Sequence, residues 1–139
     1  MIYTKRRPAE SENKDITKKH QVYLDKAIEV AKYSTMQQKH GAVIVYKNKI
    51  IACGFNHITN SLNDNFSIHA EVDVISKLFK QKQILDECDI YVVRIATNRF
   101  NNCLKMSKPC EKCTNFINKY NIRRIYYSTN YEYENLYLS

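Results

Sequence analysis

Two short motifs in this sequence carry side chains that could perform chemistry together. Residues 67–75 read SIHAEVDVI, in which His69 and Glu71 interrupt an otherwise apolar run, and residues 109–113 read PCEKC. Burying an imidazole or a carboxylate is less favourable than burying valine or leucine. Imidazole nitrogen and cysteine sulfur are ligands that zinc prefers in proteins. The two motifs together therefore indicate a metal site.

The spacing of two cysteines suits a shared metal ion. Cys110 and Cys113 are three residues apart, so their sulfurs share a face if the segment is helical. With His69 they make three protein ligands, whereas structural zinc sites usually have four. A three-ligand site keeps a position for water, and zinc lowers the pKa of that water towards neutrality. Glu71, two residues from a ligand, could then accept a proton from the water.

The same residues also have simpler explanations. His69 could be a core histidine bonded to a backbone carbonyl. Glu71 could be a first-turn carboxylate that complements a helix dipole. Cys110 and Cys113 could form a redox pair, although that would leave His69 and Glu71 unexplained.

The other cysteines have different surroundings. Five cysteines make an odd number, so metal binding or free thiols fit better than a disulfide framework. Cys53 and Cys88 lie in or beside apolar segments and suit small core residues. Cys103 lies in a polar segment, where it could be a reactive thiol or a fourth metal ligand.

The composition is that of one ordinary domain. The chain has 139 residues, of which 44% are hydrophobic, enough for a packed core. We expect a flexible N-terminus at residues 1–15 and a single domain at 16–139. No apolar run reaches 18 residues, so no membrane span is expected. The N-terminus has no apolar signal region, so we predict a cytoplasmic location, with a nuclear one as the alternative.

The charge balance is strongly basic. The formal net charge is +8, which favours an anionic partner such as a nucleotide or a nucleic acid. A lysine-rich surface that only keeps the protein soluble would give the same balance.

Periodicity predicts the elements that position the two motifs. A helix begins near Thr17, and two strand-like runs joined by Lys47 and Asn48 form a hairpin at 42–46 and 49–54. The remaining predictions are a polar loop at 57–66, a helix at 68–80, a strand at 88–96, a loop at 97–108, a helix at 110–120 and a strand at 122–128. This alternation indicates an α/β layered fold.

Three side chains test the predicted faces of these elements. We expect Val22 on the buried face of the first helix and Phe79 on that of the second. In the strand at 122–128, alternation predicts that Tyr126 is exposed. Eleven residues follow Ser128, too few for a crossover to a parallel strand, so a last strand there would be antiparallel.

The two motifs in this order resemble those of the cytidine and deoxycytidylate deaminase superfamily, which includes tRNA adenosine deaminases. H-x-E followed by P-C-x-x-C is the signature of these zinc enzymes. The resemblance extends over about residues 20–128, because GAVIVYKNKIIACGFN at 41–56 looks like the family's first hairpin. It implies a cytidine deaminase-like three-layer α/β/α sandwich with a mixed sheet of four to five strands.

The resemblance also implies a reaction and the residues that perform it. The family hydrolyses an amino group from a nucleobase, with zinc on the residues matching His69, Cys110 and Cys113 and with Glu71 as proton carrier. Asn56 matches a residue that binds the substrate's sugar, and the Ala70 N–H one that binds the base. Further candidates for substrate contact are His57, Ser107 and Pro109. Family members usually form homodimers or homotetramers.

The substrate is open at this level. We favour a small cytosine-containing nucleoside or nucleotide, because an antiparallel last strand resembles the branch that acts on free nucleosides and bases. The alternative is adenosine or cytidine in RNA or single-stranded DNA, which the +8 charge favours. A non-catalytic zinc or nucleotide-binding module is a third possibility. The loop at 97–108 could close over a nucleotide or be a tolerated insertion.

Overall fold

The structure is a computed structural model that describes residues 2–6, 13–14, 18–60, 65–97 and 102–129. Its elements follow in chain order: β1 (Ile2–Arg6), β2 (Asn13–Lys14), α1 (Lys18–Ala31), β3 (Lys39–Tyr46), β4 (Lys49–Phe55), β5 (His57–Asn60), β6 (Asn65–Ile68), α2 (Ala70–Ser76), a 3₁₀ helix (Phe79–Glu87), β7 (Cys88–Thr97), β8 (Asn102–Lys105), α3 (Glu111–Lys119) and β9 (Arg124–Ser128). None of the helices in these ranges combines the length and the hydropathy that a membrane-spanning helix requires.

One mixed sheet forms the centre of the fold. Its strand order is β2-β1-β9-β7-β3-β4, and β8 pairs with the end of β7. β7 and β9 are parallel, because α3 lies in the connection between them, and the other pairs are antiparallel. The predicted α/β class with a mixed sheet is confirmed. Among the described residues the sheet has seven strands rather than four to five, since β1, β2 and β8 add to β9, β7, β3 and β4.

Helices cover both faces of this sheet, as the predicted three-layer sandwich requires. Along β7, Ile90 and Val92 pack in the cluster that contains residues of α2 and α3. Tyr91 and Val93 point to the opposite face and pack with residues of α1. Since both faces are covered, the strand is a nearly continuous apolar run rather than an alternating one.

The two glycines of the chain let helices approach the sheet closely. A Cβ on Gly41 would collide with the backbone of Ala27 and Ala31 in α1. A Cβ on Gly54 would lie 2.7 Å from the backbone nitrogen of Val74 in α2. Gly41 and Gly54 therefore set the depth at which α1 and α2 pack against β3 and β4.

The predicted hairpin is present. β3 pairs antiparallel with β4, and Lys47 and Asn48 connect them with φ angles of 48° and 66°. Two consecutive positive φ angles are typical of the tight turns whose twist matches that of antiparallel strands. Asparagine tolerates this backbone region better than most residues.

Strands also occur where the sequence indicated none. The predicted flexible N-terminus, residues 1–15, contains β1 and β2 among its described residues, and β1 pairs antiparallel with the whole of β9. β1 thus lies between β9 and β2 in the sheet. The predicted antiparallel strand after Ser128 lies outside the described residues. The domain boundary at residue 16 stays a prediction.

Two predicted loops and one predicted helix differ from the structure. The segment 57–66 contains most of the hairpin of β5 and β6, and the segment 97–108 contains β8, which pairs with β7. These strands were missed because polar side chains on an edge or a short hairpin hide the apolar alternation. The helix expected at 68–80 ends at Ser76, and a 3₁₀ helix follows from Phe79.

The burial of three side chains contradicts the predicted faces. Tyr126 is 6% exposed, because α1 covers the face of β9 that we expected to meet solvent. Val22 is 60% exposed, although it was placed on the inner face of α1. Phe79 is 39% exposed and lies beyond the end of α2. In each case packing between elements decided the burial, which periodicity within one element does not report.

Candidate metal and catalytic site

The two motifs meet at the first turns of two neighbouring helices. His69 is the residue before α2, and Cys110 is the residue before α3, both with extended backbone angles. Each starts its helix through its carbonyl, which accepts a hydrogen bond from the N–H of Asp73 or Thr114. Free N–H groups and the positive end of the helix dipole are therefore directed at the same space.

Three possible metal-binding atoms converge there. One ligand atom from each of His69, Cys110 and Cys113 lies within 4.8 Å of the other two. The Nδ1 atom of His69 is 3.1 Å from the sulfur of Cys113 and 3.7 Å from that of Cys110. Cys113 is buried, while His69 and Cys110 are exposed. One imidazole and two thiols form a donor set that suits zinc, and its open side leaves room for a further ligand.

Glu71 lies directly beside this group. The residue is only 4% exposed, and its carboxyl hydrogen-bonds the Cys113 thiol. Burial raises the pKa of Glu71 to about 7. Burial also raises the pKa of the Cys113 thiol, and the neighbouring Glu71 raises it further. A bound cation acts in the opposite direction on a thiol, because metal ligation requires the thiolate.

A cavity of about 420 Å³ opens onto these residues. Its size is in the range of small-molecule sites. Its walls come from the segment before β3, from the residues that flank α2, and from the segment before α3. The lining residues are Met36, Gln37, Gln38, His40, Asn56, Ser67, His69, Glu71, Ser107, Lys108 and Cys110.

Two of the predicted substrate contacts line this cavity, but both already have protein partners. The side chain of Asn56 bonds to the segment 36–40. The Ser107 hydroxyl lies 2.9 Å from the carbonyl oxygen of Val92 and 3.2 Å from that of Ser128, so the two carbonyls share its one donor, and it accepts from the Ser128 N–H. Ser107 thereby joins β7 to β9 at the cavity wall.

The other predicted contacts lie outside the lining. The Nε2 atom of His57 is 3.2 Å from a carboxylate oxygen of Asp73, so this histidine is directed to α2 rather than into the cavity. Ala70 is completely buried at the start of α2. Pro109 is buried, and its carbonyl accepts a hydrogen bond from Thr114. The side chain of Cys103 lies outside the described part of the chain, so its role as a metal ligand stays a prediction.

Sequence reasoning missed several lining residues, above all His40 and the segment 36–38. His40 could have been noticed, because it is a polar residue directly before an apolar strand run. Burial lowers the pKa of His40 to about 4, and nearby Arg94 and His69 lower it further. The imidazole is therefore neutral at pH 7.

These features together define the class of zinc-binding deaminase domains. They are an α/β/α sandwich, one His and two Cys at neighbouring helix starts, and a buried carboxyl beside them. Residues 17–129 match the family described as "Cytidine and deoxycytidylate deaminase zinc-binding region". The chain belongs to this family.

Solved structures support the same fold. One similar structure is the dCMP deaminase from the cyanophage S-TIM5 in apo form, with 21% identity, a TM-score of 0.57, and coverage of 73% of this chain and 75% of that chain. The same enzyme in complex with dCMP and dUMP aligns with 20% identity, a TM-score of 0.51 and coverage of 73% and 74%. No curated protein matches this sequence significantly.

Proposed function

We propose that this protein is a zinc-dependent hydrolase that deaminates a small cytosine-containing nucleoside or nucleotide and releases ammonia. The observation that carries the proposal is the convergence of His69, Cys110 and Cys113 within 4.8 Å, with buried Glu71 bonded to Cys113. A site that used zinc only for stability would have no need of a buried carboxyl at this position. Glu71 is therefore assigned as the catalytic residue.

The chemistry needs a nucleophile and a proton carrier. Zinc held by His69, Cys110 and Cys113 would lower the pKa of water and so supply a nucleophile near neutral pH. The carboxylate of Glu71 accepts the proton of that water and delivers it to the ring nitrogen of the base. A C–O bond forms at C4 of cytosine and the C–N bond breaks. The amino nitrogen leaves as ammonia after a further proton transfer through Glu71, with no change in oxidation state.

The cavity supports a small substrate. Its volume of about 420 Å³ suits a nucleoside or nucleotide. Lys108 is exposed at its edge and offers a cation to a phosphate group. The cyanophage enzyme, whose fold this chain shares, is a deaminase of a nucleotide and was solved with dCMP and dUMP. That relationship supports testing nucleotides first.

A second candidate is deamination of cytidine or adenosine within RNA or single-stranded DNA. The observation that favours it is the net charge of +8, since cationic surfaces bind the phosphate backbone. Activity on an oligonucleotide that decreases steeply with added salt would favour this candidate over the small substrate.

One experiment tests both candidates. The zinc-loaded protein is incubated with cytosine, cytidine, deoxycytidine, dCMP, adenosine and short oligonucleotides, and ammonia is measured. The proposal expects release from a cytosine nucleoside or nucleotide, with none from the Glu71→Gln variant. If no substrate releases ammonia from a protein that contains one zinc per chain, the enzymatic proposal is wrong and a non-catalytic module is favoured. Assembly into dimers or tetramers stays a prediction that light scattering on the same sample tests.

A further inference from the structure

His40 is a cavity residue whose role the family motifs leave open. It lies in β3 directly before Gly41, and it lines the cavity together with His69 and Glu71. The residues that follow Gly41 in β3 are mostly apolar and buried. An imidazole at this position, next to the candidate metal ligands, is therefore unusual for the strand that contains it.

Asn56 holds the backbone of His40 from two sides. The Asn56 Oδ1 atom accepts the His40 N–H at 2.8 Å, and the Asn56 N–H donates to the His40 carbonyl at 3.3 Å. The Asn56 amide also donates to the Gln38 carbonyl at 2.6 Å and contacts the Met36 sulfur at 3.4 Å. Asn56 is 5% exposed, so these bonds are shielded from water and fix the segment 36–40 against the cavity.

Most hydrogen-bonding groups of Asn56 and His40 are already used within the protein, and the remaining ones are available to a ligand. Both N–H groups of the Asn56 amide are used inside the protein, which leaves one lone pair on Oδ1. His40 bonds through its ring to the Gln38 backbone carbonyl. A neutral imidazole has one donor and one acceptor nitrogen, so the second nitrogen is an acceptor. No partner for that nitrogen is seen among the described residues.

We propose that His40 determines specificity by accepting a hydrogen bond from the substrate, and that Asn56 is the positioning residue that holds His40 in place. This inference rests on the proposed function and extends it to substrate selection. An acceptor in a sheltered cavity favours a ligand that brings a donor, because a ligand without one leaves the acceptor unpaired. The donors that a cytosine nucleoside offers are its amino group and its sugar hydroxyls.

Binding measured without turnover tests the role of His40. The Glu71→Gln protein, loaded with zinc, is titrated calorimetrically with cytidine, deoxycytidine, dCMP and dUMP, alone and with His40→Val added. We expect His40→Val to raise the Kd of at least one of these ligands about tenfold or more. His20→Ala is the matched control, because His20 packs against Tyr126 on the opposite face of the sheet. The control should leave every Kd unchanged, and zinc content should be equal in all variants.

The pattern across ligands identifies the contacted group. A loss with cytidine and dCMP but none with dUMP assigns the amino group, whereas an equal loss with all four assigns the sugar. Equal Kd values with and without His40→Val would overturn the inference. It would also be overturned if none of the four ligands binds. Absence of ammonia from the Glu71-containing enzyme would instead defeat the proposed reaction while leaving the binding result interpretable.

A double-mutant cycle tests the role of Asn56. Asn56→Asp keeps an oxygen for the His40 N–H but removes the donor to Gln38. If Asn56 acts through His40, His40→Val should raise the Kd much less in a protein that already carries Asn56→Asp than in a protein that keeps Asn56. Equal, additive increases in Kd would show that Asn56 contributes independently, and the positioning role would then be wrong.

Discussion

The Nδ1 atom of His69 lies 3.1 Å from the sulfur of Cys113, although the two residues are 44 positions apart in the chain. The contact joins the starts of α2 and α3, of which α2 follows β6 in the two-stranded sheet and α3 follows β8 in the central sheet. An imidazole and a thiol at this distance in a partly buried site are arranged to bind one cation together rather than only to pack against each other.

Removal of a ligand should remove zinc. Cys110→Ser, Cys113→Ser and His69→Ala each leave two of the three converging donors. We expect each to weaken zinc binding by more than the roughly 10–100-fold typical of losing an outer-shell partner. Zinc per chain, measured after dialysis against a chelator, checks this. Cys103→Ser is the control and should retain the metal. Loss of zinc in that variant would show a fourth ligand instead.

Glu71→Gln should separate metal binding from turnover. The amide keeps the size of the side chain but cannot carry a proton, so activity should fall by roughly 10²–10⁴-fold or more. Zinc content and melting temperature should change little. Ammonia release and metal analysis on the same sample are the measurements. Full activity in this variant would contradict the assigned mechanism.

Gly41→Ala should destabilise the domain. The added methyl group would meet backbone atoms of Ala27 and Ala31, which move only if α1 shifts. Overpacking of this kind costs typically about 1–3 kcal/mol. Urea unfolding followed by circular dichroism measures the change. Lys49→Ala, an exposed change in the same hairpin, is the control, and an equal effect in both variants would rule out the steric explanation.

Arg123, which precedes β9, and Arg124, the first residue of β9, should differ in their contribution to stability. Arg123 makes two contacts with the buried carboxylate of Asp89, at 3.0 and 3.2 Å, whereas Arg124 approaches it only to 4.0 Å. Arg123→Ala should therefore lower the free energy of unfolding by about 1 kcal/mol. This modest value reflects the partial exposure of the Arg123 side chain. Arg124→Ala should lower the free energy less, and the reverse order in urea unfolding would refute the assignment.

The pH dependence of stability should carry the signature of His40. Its pKa is lowered from 6.5 to about 4 in the folded state, chiefly by burial. Between these values the unfolded chain binds a proton that the folded chain does not, so stability falls as the pH falls through that window. Between pH 7 and pH 5, wild type should lose about 1–2 kcal/mol more than His40→Val. Parallel losses in urea unfolding would show that His40 titrates normally.

Much of the fold could be predicted because its elements are locally encoded. The apolar run of β7, the hairpin of β3 and β4, and the helices that follow each motif depend on residues close together in sequence. The missed strands β1, β5, β6 and β8 are short or polar. They are held in place by partners that periodicity cannot identify, such as β9 for β1.

By itself, the sequence determined which residue types are available for chemistry. His69, Glu71, Cys110 and Cys113 stand out because their types and spacing conflict with simple packing. The tertiary structure decided which of the candidate residues share a cavity. It directed His57 to Asp73, engaged Asn56 and Ser107 within the protein, and brought His40 to the cavity wall. The reason is physical, since the side-chain type follows from the chain, whereas its partners follow from the packing of helices and strands distant in sequence.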